Sequence, residues 1–178
     1  MLEFFPFPLL AGLGILAILL VLLRRKRSPA YLLGLAVFWL YLLLVVSLII
    51  FPIPLLEGKG ARSLVTDILS HVNLVPFNFG RLFDYPPTVI FQQLFGNILL
   101  TVPFGFWLPF LARFKPKHFP WLALGAGFAI ETAQLGFCLL VGATYRSTDI
   151  NDVLLNAVGA LLGYALFRGF ALVYGRIR

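Results

Sequence analysis

Apolar residues gather in five long runs: Pro6 to Leu23, Tyr31 to Phe51, Val89 to Ala112, Phe119 to Val141 and Asp152 to Tyr174. Crossing ~30 Å of hydrocarbon takes about 20 helical residues. The pattern therefore predicts an all-α, polytopic membrane bundle of five transmembrane helices. The one long connection, 52–88, opens with the helix breakers Pro52, Pro54, Gly58 and Gly60. Ser63 is then placed to cap a short helix reaching Val72, whose apolar side would be Leu64, Val65, Ile68, Leu69 and Val72. Such a helix is expected to lie in the membrane interface or to be re-entrant, with Asp67, Ser70 and His71 on its polar side. The whole chain, 1–178, reads as a single membrane domain, with residues 1–51 as an N-terminal helical hairpin.

Composition agrees. The 178 residues are 61% hydrophobic and only 12% charged, against roughly 25% charged for a soluble domain. Low charge with 16% aromatics also excludes disorder. One cysteine, Cys138, excludes an internal disulfide or a thiolate-rich metal site. No cofactor and no metal are expected.

Charge sets an orientation. Arg24, Arg25, Lys26 and Arg27 lie between the first two runs. Arg113, Lys115 and Lys117 lie between the third and fourth, and Arg168, Arg176 and Arg178 at the chain's end. The other side holds only Lys59, Arg62, Arg81 and Arg146, together with every acidic residue except Glu131. Positive residues mark the cytoplasmic side, which places the N-terminus outside and the C-terminus in the cytoplasm. The net +7 then reflects topology and affinity for anionic lipid, with no nucleic-acid partner. The first run precedes its basic cluster and has Glu3 in place of a positive n-region, so it reads as a retained anchor and not a signal peptide.

Polar groups inside the runs need a reason. At 100° per residue, Gln93, Asn97 and Thr101 share one face of the third run, Gly127, Glu131, Gln134 and Cys138 one face of the fourth, and Asp152, Asn156, Gly159 and Gly163 one face of the fifth. Their depths place Asn97 and Gln134 roughly 10–12 Å below the outer boundary and Glu131 a turn deeper, near the midplane. Arg146 and Asp149 would sit in the loop directly above. Asn97, Glu131, Gln134, Arg146, Asp149, Asp152 and Asn156 thus converge on one outward-opening ligand-binding pocket. Gln93, Thr101, Gly159 and Gly163 read more simply as packing. A lone buried carboxylate at Glu131 must be protonated or paired, and Arg146 is the available cation. Asp149 equally suits a helix cap, His71 an interfacial contact, and Cys138 a packing role.

Four blocks, Asn73-Leu-Val-Pro-Phe77, Asn97-Ile-Leu-Leu-Thr-Val-Pro-Phe-Gly-Phe106, Glu131-Thr-Ala-Gln134 and Arg146-Ser-Thr-Asp-Ile-Asn-Asp-Val-Leu-Leu-Asn-Ala-Val-Gly159, occur in the order and spacing that resemble the VanZ-like family. The resemblance covers a core of about residues 52–167, departs at Thr101, where an apolar residue is usual, and adds Asn73 to the candidate set. It implies a small multi-pass protein of the bacterial cell membrane, in a family whose namesake is associated with resistance to the glycopeptide teicoplanin.

Two functions fit these residues. One is recognition of a membrane lipid, a lipid-linked cell-wall precursor or a lipoglycopeptide antibiotic. Arg146 would hold a phosphate or carboxylate, and the amides would hold the head group. The tail would lie along Phe91, Phe95, Phe104, Phe106 and Trp107. The other is catalysis on such a lipid, with Glu131 as general acid or base and Asp149 and Asp152 beside it. Against catalysis stand the absence of a Ser or Cys nucleophile beside a His and of a metal-type His pair. Transport through five spans without repeats is a weaker third reading.

Overall fold

The structure, a computed structural model, describes residues 7–51, 61–80 and 82–177. Among the described residues there are six α-helices: α1 Phe7–Leu23, α2 Pro29–Ile50, α3 Ala61–Ser70, α4 Pro87–Leu111, α5 Phe119–Val141 and α6 Ile150–Ile177. Two-residue strands β1 (Val72–Asn73) and β2 (Thr148–Asp149) pair in parallel. Among the described residues, α2, α4, α5 and α6 are long and apolar enough to cross a membrane. The remaining run, α1, is apolar but has 17 residues, about 25 Å of helix. It packs on α2, where Trp39 donates its indole N–H to the Gly12 carbonyl at 2.9 Å.

Local chemistry explains the boundaries. Ser28 caps α2 by accepting from the Tyr31 N–H (3.3 Å), and Pro29 opens the first turn. α5 stops at Gly142, whose left-handed φ of 70° lets its N–H reach the Cys138 carbonyl. α3 starts at Ala61, so Ser63 is inside the helix and not its cap, and Val72 belongs to β1. α3 buries Ile68 while Val65 and Leu69 stay exposed. Glu3, Lys59, Arg81, Arg178 and the breakers Pro52, Pro54, Gly58 and Gly60 lie outside the described residues.

The largest interface joins α4 to α6. A Cβ on Gly159 or Gly163 would run into the carbonyl of Ile98 or Val102, and one on Gly105 into that of Ala160. The three glycines let two parallel helices touch backbone to backbone. α5 packs antiparallel on α6: Phe119 stacks on Tyr164 at 4.1 Å, and Gly127 lies against Val153. Carried on toward the C-terminus of α5, this register brings residue 131 level with the start of α6. α5 then continues for another ten residues, about 15 Å, and residues 142–149 return alongside it.

Candidate functional site

That returning segment builds the end of the bundle at which α6 begins. β2 pairs with β1, Val72 opposite Thr148 and Asn73 opposite Asp149. The Asn73 amide donates to Asp149 Oδ1 (3.0 Å) and to the Asn78 carbonyl (2.7 Å), while its Oδ1 accepts the Val75 N–H (3.1 Å). Asp149 Oδ1 also accepts the Asn151 N–H at 2.8 Å, the bond an N-cap makes to the first turn of α6. Asn151, buried, accepts the Phe77 N–H on Oδ1 at 2.6 Å and donates to the Asn78 carbonyl at 2.9 Å. Phe77 is held at a φ of 63°, a conformation costly for a bulky residue. Asn151 is thus the peg that fixes the 73–78 turn, and Asp67 ties α3 to the same structure by accepting from the Thr144 hydroxyl at 2.6 Å.

Glu131 is 4% exposed, and its Oε2 accepts the Asp149 N–H at 3.0 Å. It therefore lies level with the first turn of α6. The loop after α5, expected to lie directly above the pocket, instead descends beside α5, with Cys138 Sγ donating to the Arg146 carbonyl at 3.5 Å on the way. Asp149 and Asp152 are close enough to interact electrostatically with Glu131. No set of three or more His, Cys, Asp or Glu side chains among the described residues is grouped to hold a metal ion.

Arg146 does not pair with Glu131. Its Nη2 donates to the carbonyls of Leu48 (2.9 Å) and Phe51 (3.3 Å), and Gln134 Nε2 donates to that of Ile49 (3.3 Å). These are terminal carbonyls of α2, which a helix end leaves without intrahelical donors. The residue four positions after Leu48 is Pro52, which has no N–H to offer. Arg146 and Gln134 therefore cap α2 from α5 and the segment that follows it.

A polar cleft of about 250 Å³ opens beside this cap, lined by Gln92, Gln93, Gly96, Asn97, Gln134, Arg146, Ser147 and Asp152. The Asn97 amide lies against the Asp152 carboxyl and donates to the Gln93 carbonyl at 3.3 Å. Of the sequence-derived candidates, Asn97, Gln134, Arg146 and Asp152 share this cleft. Glu131, Asn73 and Asp149 belong to the hydrogen-bonded tie, outside its lining. Asn156 is fully buried, and neither its Oδ1 nor its Nδ2 has a hydrogen-bond partner in the structure. Its carbonyl accepts from the Thr101 hydroxyl at 2.6 Å, which gives Thr101 a reason to be polar.

Sequence reasoning passed over Asn151, Gln92 and Ser147. An Asn in the first turn of an apolar helix is a legible signal for Asn151. Gln92 lies one residue off the Gln93 stripe, and Ser147 carried no signal of its own. The aromatic residues also divide. Phe91 and Phe95 stack at 4.4 Å and stay exposed next to the cleft. Phe104 instead meets Phe38, and Phe106 and Trp107 pack with Phe110. His71 turns back on its own helix, with Nδ1 2.8 Å from the Asp67 carbonyl oxygen.

No curated protein and no solved structure shows significant similarity to the chain. The VanZ/LLP1 family model matches residues 38–173. That match runs from the middle of α2 almost to the end of α6 and takes in the tie, the α2 cap and the cleft. With its membrane-length helices, the chain is a multi-pass membrane protein that belongs to the VanZ/LLP1 family.

Proposed function

We propose that the cleft binds the phosphorylated or sugar head group of a lipid in the outer leaflet of a bacterial cell membrane, a lipid-linked cell-wall precursor being the best fit. The observation that carries this is the lining itself: amides on α4 and α5, a guanidinium and a carboxyl facing one hollow at the end of an otherwise apolar bundle. At about 30 Å³ per water-sized group, 250 Å³ takes about eight such groups, enough for a phosphate and the part of a head group next to it and too small for a whole glycopeptide. Arg146 supplies a charge-assisted contact with the guanidinium nitrogens that its α2 carbonyls leave over. The stacked Phe91 and Phe95 offer the first stretch of tail an apolar rail. In this reading the chain crosses the membrane five times, N-terminus outside, and any part in teicoplanin-type resistance follows from holding the lipid and not the drug.

Gln93 and Asn97 are the side chains to change, because neither caps α2. Lipid retained by the purified protein is identified by native mass spectrometry in wild type and in Gln93→Leu/Asn97→Leu. Loss of a phosphorylated or glycosylated lipid from the double variant, with bulk phospholipid unchanged, is the expected result. The same lipids in the same amounts in both proteins would overturn the proposal.

A further inference from the structure

A second hollow lies at the other end of the bundle. Phe114, Lys117, His118, Trp121 and Leu122 line a cavity of about 630 Å³, within the usual range of ligand sites. Trp121 is thirteen residues from Gln134 along α5, about 20 Å, so this cavity is separate from the cleft. Its floor is fixed: Phe114 packs on Phe119 at 5.5 Å, and Phe119, fully buried, stacks on Tyr164 at 4.1 Å. Its rim is cationic. Lys117 and His118 sit on the short turn Pro116–His118, with Arg113 and Lys115 just before them, all exposed. No acidic residue occurs between Asp84 and Glu131, or anywhere after Asp152, so no carboxylate of these segments competes for the rim. Trp121 is 75% exposed, in the first turn of α5, where an indole suits the boundary between head groups and acyl chains.

A rigid aromatic floor, an indole at the boundary and an uncontested cationic rim are complementary to one kind of molecule. We infer that this cavity seats an anionic phospholipid, its phosphate between Lys117 and His118, its glycerol region against Trp121 and its first acyl segment against Leu122. The charge decides the class. A zwitterionic lipid brings its own cation to a rim that already repels it, whereas basic side chains near a surface enrich anionic lipid about fivefold each.

The full chain in nanodiscs of phosphatidylcholine tests this. Bromine-labelled phosphatidylglycerol or bromine-labelled phosphatidylcholine is added at equal low fractions, and the Trp121 signal is read as the difference between wild type and Trp121→Phe. The expected result is stronger quenching by the anionic lipid, lost in Lys117→Gln/His118→Gln and kept in Lys117→Arg. Arg25→Gln, in the other basic cluster, keeps it as well. Equal quenching by the two lipids, or loss of the preference in Arg25→Gln to the same extent, would overturn the inference.

Discussion

Glu131 Oε2 accepts the main-chain N–H of Asp149 at 3.0 Å, joining the middle of α5 to the residue that precedes α6. A buried carboxyl is here used as a backbone acceptor, and the need is local. The Asp149 N–H precedes α6 and has no helical partner, so Glu131 supplies one. Glu131→Gln keeps an acceptor oxygen and is expected to hold the thermal midpoint in detergent close to wild type. Glu131→Leu leaves the N–H buried and unpaired and is expected to lose about 1–3 kcal/mol. Equal midpoints for Gln and Leu would show that the bond carries no stability.

Arg146 is expected to matter for folding before it matters for any ligand. Arg146→Ala strips donors from the Leu48 and Phe51 carbonyls, and a lost charge-assisted bond is worth about 1.5–3 kcal/mol. Thermal unfolding should fall accordingly, whereas Ser147→Ala, which lines the same cleft, should leave it unchanged. An unchanged midpoint in Arg146→Ala would contradict the capping role.

Two glycine substitutions separate interface from propensity. Gly159→Ala forces its methyl into the Ile98 carbonyl and is expected to cost about 1–3 kcal/mol. Gly136→Ala, whose methyl meets nothing within 4 Å, should be neutral or gain up to about 1 kcal/mol from helix propensity. The pair is read by thermal unfolding in one detergent.

The helices were legible because the bilayer demands long apolar runs: α5 begins and ends where its run does, and α2, α4 and α6 within a few residues. The end where α6 begins was not. β1 and β2 are two residues each, too short for any periodicity, and their pairing joins positions 72–73 to 148–149. Helical rotation did place Asn97, Gln134 and Asp152 on facing sides, because all three lie within regular helix. Arg146 and Asp149 lie in a segment that runs down beside α5, where helical rotation gives no guide. Arg146 was assigned to a carboxylate, yet its partners are carbonyls, which leave no trace in side-chain pattern. The faint sign was Pro52, four residues after Leu48.

Asn151 should control the turn above it. Asn151→Ala removes the acceptor for the Phe77 N–H and the donor for the Asn78 carbonyl. Hydrogen exchange at residues 74–80 is expected to speed up by about ten- to a hundredfold, the factor that 1.4–2.8 kcal/mol of lost restraint gives. Exchange confined to wild-type rates would mean that β1 alone holds the turn.

Orientation is open to a direct assay because Cys138 is only 1% exposed and gives little background. In intact cells, a membrane-impermeant maleimide is expected to label Ser147→Cys and to spare Lys117→Cys until the membrane is opened. The reverse pattern would turn the cleft toward the cytoplasm.

The most direct measurement places a photo-crosslinking residue at Gln93, inside the cleft, and another at Leu140, exposed on α5. After irradiation in native membranes, the lipids attached at each position are identified by mass spectrometry. The account predicts that position 93 captures a phosphorylated or glycosylated lipid far above its membrane abundance, while position 140 samples lipids in proportion to theirs. Identical profiles at the two positions would contradict it.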